Sequence, residues 1–166
     1  MVIFTLNQYM KHGIEEMCKQ GGEYKNTEVI IFDYRGTLVF LEPSALYLNP
    51  ERALCDALTS CFHFNFRSGD SLGRFRLYLD LWEHRSRRSP PQKLTFSEEK
   101  VIQALLLGYS IQVISVIRKE NIKTLSVHKT NALRKMGVRN LQTLYLMVQY
   151  WKRQLNFFNI KSDRFH

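Results

Sequence analysis

Between residues 94 and 156 the chain is punctuated by helix starts and stops so closely spaced that only a small helical unit fits there. Thr95 is an N-cap, and Glu98 completes a T-x-x-E capping box. Gly108 ends that helix, and Ser110 caps a second, Ile111 to about Ile117. Lys119 to Asn121 forms a short turn, and Asn121 caps a third helix, Ile122 to Met136, which Gly137 stops. Asn140 caps a fourth, Leu141 to about Leu155. Apolar residues recur at helical spacing in each. Val101, Ile102, Leu105 and Leu106 line the first, and Val113, Ile114 and Ile117 are expected to face inward from the second. Leu125, Ala132 and Met136 form an inner stripe on the third, with His128 beside it. Two helices joined by a short turn, the second cationic, make a helix-turn-helix.

The outer side of the third helix carries Lys123, Ser126, Val127, Thr130 and Arg134. Cations, hydroxyls and one branched apolar group are what a helix needs in a DNA major groove, the cations for phosphates and the short groups for base edges. A solvated helix face has the same look. The distribution of charge separates the two. The net charge of +9 is uneven: residues 1–83 hold 8 Lys and Arg against 11 Asp and Glu, and residues 84–166 hold 16 against 4. A second half so basic points to a polyanion partner.

The first half alternates strand and helix, an α/β layer. Val2 to Leu6 suits a short buried strand, and Asn7 can cap a helix from Gln8 to about Lys19 that Gly21 and Gly22 end. Glu28 to Phe32 is the clearest strand, with Asp33 at its C-terminal edge; Tyr34-Arg35-Gly36 turns the chain towards a short strand, Thr37 to Phe40. Pro43 to Pro50 reads as irregular, and Glu51 to Phe62 and Arg76 to His84 as helices; Phe64 to Phe75 is ambiguous. Arg85 to Lys93, basic, polar and Pro-containing, reads as a linker. The expected organisation is therefore 1–84, a linker 85–93, and an all-α four-helix domain over 94–156.

Residues 94–151 resemble the LuxR/FixJ/NarL-type helix-turn-helix regulators of bacteria. The family's opening L-T-x-x-E is matched by Leu94, Thr95 and Glu98, its inter-helix Gly and Ser by Gly108 and Ser110, and its second-helix Ile by Ile114. Its recognition-helix pattern is matched by Thr124, Leu125, His128, Asn131, Lys135, Met136, Gly137 and Val138. The family usually has apolar residues where Arg118 and Glu120 stand, and a Ser at Asn121, so the turn is expected to pack differently. The run from Thr124 to Val138, with Lys129 after the His, looks most like the RcsA/BglJ-like auxiliary regulators of enteric bacteria, which pair with a response regulator.

By position in the family motif, Ser126, Val127 and Thr130 would face base edges, while Lys123, Lys129, Arg134 and the hydroxyl of Thr124 would hold phosphates, with Arg139 a further backbone contact. The fourth helix is the usual dimer surface of such proteins, which makes Leu144, Val148 and Trp151 candidates for dimerisation. The first half looks like a truncated, degenerate receiver domain, with Asp33 where a phosphoacceptor would stand. A working receiver needs an acidic pair after its first strand for Mg²⁺; here that place reads Thr5-Leu6-Asn7-Gln8. Asp33 is thus expected to cap the following turn rather than accept phosphate.

These readings imply a cytoplasmic, sequence-specific transcription regulator that binds double-stranded DNA without phosphorylation. It would act as a homodimer or a heterodimer with a related response regulator. A phospho-responsive regulator and a module that titrates a partner without touching DNA are the alternatives. No cofactor, metal set, small-molecule ligand or membrane span is evident, and Cys18, Cys55 and Cys61 lack metal-type spacing. No nucleophile–base pairing or Gly-rich phosphate loop suggests an enzyme.

Overall fold

The computed structural model of the 166-residue chain describes residues 1–5, 8–21, 28–60, 62–67, 69–84 and 93–162. The Asn7 cap, the Gly22 stop, the Cys18 side chain, Cys61 and all of the expected linker except Lys93 lie outside the described residues.

The first half is a four-stranded sheet with helices on both faces. In chain order it runs β1 (Val2–Phe4), α1 (Gln8–Gly21), β2 (Ile30–Tyr34), β3 (Thr37–Leu41), α2 (Pro50–Thr59), β4 (His63–Asn65) and α3 (Leu72–Glu83), with a 3-10 turn at Pro43–Leu46. The spatial order is β1-β2-β3-β4. β1 and β2 are parallel, as a strand–helix–strand crossover requires, with Val2 opposite Ile30. β2 and β3 form an antiparallel hairpin, Tyr34 opposite Thr37, and β4 pairs antiparallel with β3.

The α/β layer expected of residues 1–84 is present, but its sheet is mixed. A receiver is a doubly wound parallel sheet ordered 2-1-3-4-5, so the likeness extends over β1-α1-β2 only. The reason is local. Only Arg35 and Gly36 separate β2 from β3, both at positive φ (52° and 84°), which is the type I′ geometry of a two-residue hairpin. A parallel neighbour needs a crossover of about a dozen residues or more. A Cβ on Gly36 would also stand 2.6 Å from the Phe66 carbonyl oxygen, which accepts no substitute there. The span left ambiguous resolves into β4 and the start of α3, which Ser71 caps by accepting from the Arg74 N–H.

The second half is four helices: α4 (Phe96–Leu106), α5 (Ile111–Arg118), α6 (Ile122–Lys135) and α7 (Leu141–Ser162). Every expected cap is formed. Thr95 and Glu98 make the reciprocal capping box, Ser110 and Asn121 accept from the Val113 and Lys123 N–H groups, and Asn140 accepts from Thr143 at 2.8 Å. Val101, Ile114 and Leu125 form a small core among α4, α5 and α6.

The two halves share their main core. Strand residues alternate between faces. Ile31, Leu38 and Phe40 pack with α1 and α3 residues such as Ile14, Phe75 and Trp82. Ile30, Phe32, Val39 and Leu41 pack with Leu54 and Leu58 of α2, Met136, and Leu144, Val148 and Trp151 of α7. So α2 and α7 together cover the second face, and the last helix of the helical unit completes the α/β layer. The Phe4 and Phe32 rings meet the Trp151 indole edge-on, with centroids 5.4 and 5.2 Å away. Lys152 forms an ion pair with Glu51 of α2. Among the described residues, no helix is long and apolar enough to cross a membrane.

This packing corrects one expectation. Leu144, Val148 and Trp151 are all buried inside the chain, at 0, 1 and 0% exposure, and are not a free dimer surface. The physical reason is the uncovered second sheet face, against which their apolar area is removed from water.

Candidate nucleic-acid interface

Helix α6 is anchored on one side and open on the other. Leu125, Ala132 and Met136 are buried, so its rotation is fixed by the inner stripe. His128, beside that stripe, is half-buried. The opposite side presents Lys123, Thr124, Val127, Thr130 and Arg134 to solvent, and Ser126 and Lys129 are half-buried. Arg139, past the C-terminus, is exposed as well. Lys123, Thr124, Val127, Thr130, Arg134 and Arg139 are therefore exposed together, whereas Ser126 and Lys129 are only half-exposed, Lys129 on the side of the buried Leu133 and Met136. The Thr130 hydroxyl donates to the Ser126 carbonyl at 2.9 Å, a back-bond within the helix, and keeps acceptor capacity for a base amino group.

The turn leading into α6 is rebuilt around its unusual residues. Arg118 and Glu120, standing where the resembled proteins are apolar, form an ion pair of 2.7 Å. The Ser115 hydroxyl donates to the Glu120 carbonyl at 2.6 Å. Lys119 ends α5 in the left-handed region at φ 53°, exposed beside the start of α6. It is a cation of the open face that helix periodicity does not single out, because it sits in neither helix.

Lys135 has a different role from its neighbour Arg134. Its ammonium reaches back to Glu98 at 2.7 Å and to the Lys93 carbonyl at 3.3 Å, tying the end of α6 to the start of α4. Burial raises the Glu98 pKa, but the Lys135 ammonium and the Thr95 groups outweigh it and hold that carboxyl below its ordinary value. The capping box was legible in sequence; its partner 37 residues away was not.

The inward set on α5 is narrower than its periodicity implies. Ile114 is buried, but Val113 and Ile117 are 43% and 67% exposed, because α5 is eight residues long and meets α4 and α6 through one stripe.

Asp33 lies in β2, and its two oxygens have separate partners. Oδ2 accepts from the Thr5 hydroxyl at 2.7 Å. Oδ1 accepts from the Gly36 N–H at 2.9 Å, closing the hairpin turn. No group of three or more His, Cys, Asp or Glu placed to hold a metal occurs among the described residues.

An exposed cationic helix entered through a tight turn, and braced by α4 and α5, has the geometry of DNA-reading helix-turn-helix units. Residues 92–148 match the luxR family of bacterial regulatory proteins. No curated protein and no solved structure matches the chain. Residues 92–148 are thus similar to the LuxR-type helix-turn-helix domain, a DNA-binding module of bacterial regulators.

Proposed function

We propose that this regulator reads DNA through α6 without being switched by phosphorylation, and that it gains affinity by pairing with a second copy or with a related response regulator. In this reading Lys123, Lys129, Arg134 and Arg139 hold phosphates, helped by the Thr124 hydroxyl and by Lys119, while Ser126, Val127 and Thr130 face base edges. None of the three is a strong single-base reader, so specificity rests on DNA shape and on the pairing partner.

The observation that carries the absence of a phosphate switch is the setting of Asp33. Its carboxylate closes the β2–β3 hairpin through Gly36 and accepts from Thr5, a hydroxyl at the place where a receiver supplies acid for Mg²⁺. Pairing is supported by size, since one recognition helix contacts few bases and two half-sites give length and avidity. With Leu144, Val148 and Trp151 occupied by the chain's own sheet, pairing falls to exposed surfaces, among them Tyr145 of α7.

The test is DNA binding by fluorescence anisotropy over a salt series, alone and with a candidate response regulator. Selective binding alone supports a homodimer. Selectivity that appears only with the partner supports an auxiliary subunit. Absence of salt-dependent binding in both would defeat this reading and leave a titrating module.

A further inference from the structure

We infer that the crevice between the β2–β3 hairpin and α7 is a binding site for a purine nucleoside phosphate. It has a volume of about 650 Å³ and is walled by Asp33, Tyr34 and Arg35 from the hairpin and by Tyr150 and Arg153 from α7, a size within the ordinary range of small-molecule sites.

Each wall supplies a different part of such a ligand. The Tyr34 and Tyr150 rings stand 6.0 Å apart at 61° and offer aromatic surface to a planar base. The two guanidiniums offer paired donors to a phosphate. Among the described residues, no carboxylate lies within ion-pair distance of Arg35 or Arg153, so neither guanidinium is neutralised by them. Asp33 uses one acceptor site on each oxygen and keeps others. A carboxylate acceptor favours a base with ring N–H and amino donors, and guanine carries both.

The backbone gives independent support. Arg35 occupies the left-handed region at φ 52°, where a two-residue hairpin favours Asn, Asp or Gly. A strained position filled by a long cation points to a task for that cation. Arg35 lies 5.8 Å from the centre of the Tyr34 ring, and both line the crevice. Because one wall is the hairpin and the other is α7, a bound ligand would join the sheet to the helical unit. This inference is independent of how the protein pairs or reads DNA.

The test is calorimetric titration of the full chain with GMP, guanosine and inorganic phosphate. The expected result is saturable GMP binding, with guanosine and phosphate each weaker by about tenfold or more. Arg153→Gln and Arg35→Gly should each weaken GMP by about tenfold. Arg35→Gly is the variant least able to fail by misfolding, since Gly suits a positive φ, and its thermal midpoint should not fall. No GMP binding, phosphate binding as tight as GMP, or unchanged GMP affinity in Arg35→Gly would each overturn the assignment.

Discussion

Trp151 of the last helix lies edge-on against Phe32 of the second strand, ring centroids 5.2 Å apart and planes at 60°. Neither ring is exposed. One residue belongs to the helical unit and the other to the sheet, so the contact ties the two halves together. Trp151→Ala should cost about 3–5 kcal/mol, the usual range for removing a buried aromatic. Denaturant unfolding followed by far-UV dichroism and by fluorescence checks this. The wild type should give one coincident transition by both probes. Two separate transitions would mean that the halves are independent domains joined by a linker.

That arrangement marks where the sequence stops being legible. The four helices of the second half follow from signals within a few residues of each other: Thr95 with Glu98, Ser110, Asn121, Asn140, and the stops at Gly108 and Gly137. The open face of α6 follows from its own periodicity. What covers the sheet does not, because Trp151 meets Phe4 and Phe32 from more than a hundred residues away. An apolar stripe states that something must cover it and leaves the identity of the cover open. The antiparallel pairing of β3 was written locally, in the two-residue Arg35-Gly36 turn. β4 was not, since three residues of HFN carry too little periodicity to read.

Gly137 is another point where the halves press together. It has φ +65°, and a Cβ there would stand 2.5 Å from Nε2 of His63 in β4. Gly137→Ala should destabilise the fold by about 1–3 kcal/mol, from left-handed strain and from the displaced imidazole. Adding His63→Ala should recover part of the loss, because the clash then has no partner. Equilibrium unfolding of the two single variants and the double variant measures the coupling. Strict additivity would show that His63 does not press on this turn.

Glu98 should set part of the acid sensitivity. Its side chain accepts from the Thr95 N–H at 2.7 Å and pairs with Lys135 at 2.7 Å, and its pKa is held below the ordinary 4.5. For a depressed carboxyl, the stabilisation is present above the unfolded pKa and is lost as pH falls through the folded one. Glu98→Gln should therefore be less stable at pH 7 by about 1–3 kcal/mol. Below pH 4.5 the gap to wild type should narrow steadily. Denaturant midpoints at neutral and acidic pH provide the check; a gap independent of pH would remove the charge from the explanation and leave packing alone.

His63 has the same sign of dependence at a higher pH. Burial holds its pKa below the usual 6.5, so the folded protein binds a proton there less readily than the unfolded chain. Stability should fall as pH drops below about 6.5, and a His63→Gln variant should lose that part of the slope. Thermal midpoints between pH 7.5 and 5.5 separate this from the Glu98 effect, which begins lower. An identical slope in the variant would mean that the imidazole titrates as freely in the fold as outside it.

The cations of α6 make the functional prediction. Lys123 is exposed in the first turn, and Lys129, six residues further along the same helix, is half-buried. If both meet phosphates, each releases about one counterion on binding. Lys123→Ala and Lys129→Ala should each weaken binding to every DNA sequence and lower the slope of log affinity against log salt by about 1. Val127→Ala should instead act only on selected sites, through a lost thymine-methyl contact, with the slope unchanged. Lys135→Ala provides the contrast: its ammonium is engaged with Glu98, so it should lower stability and leave the salt slope intact. A salt slope that responds to Lys135 and ignores Lys123 would place the phosphate backbone on a different face of the domain.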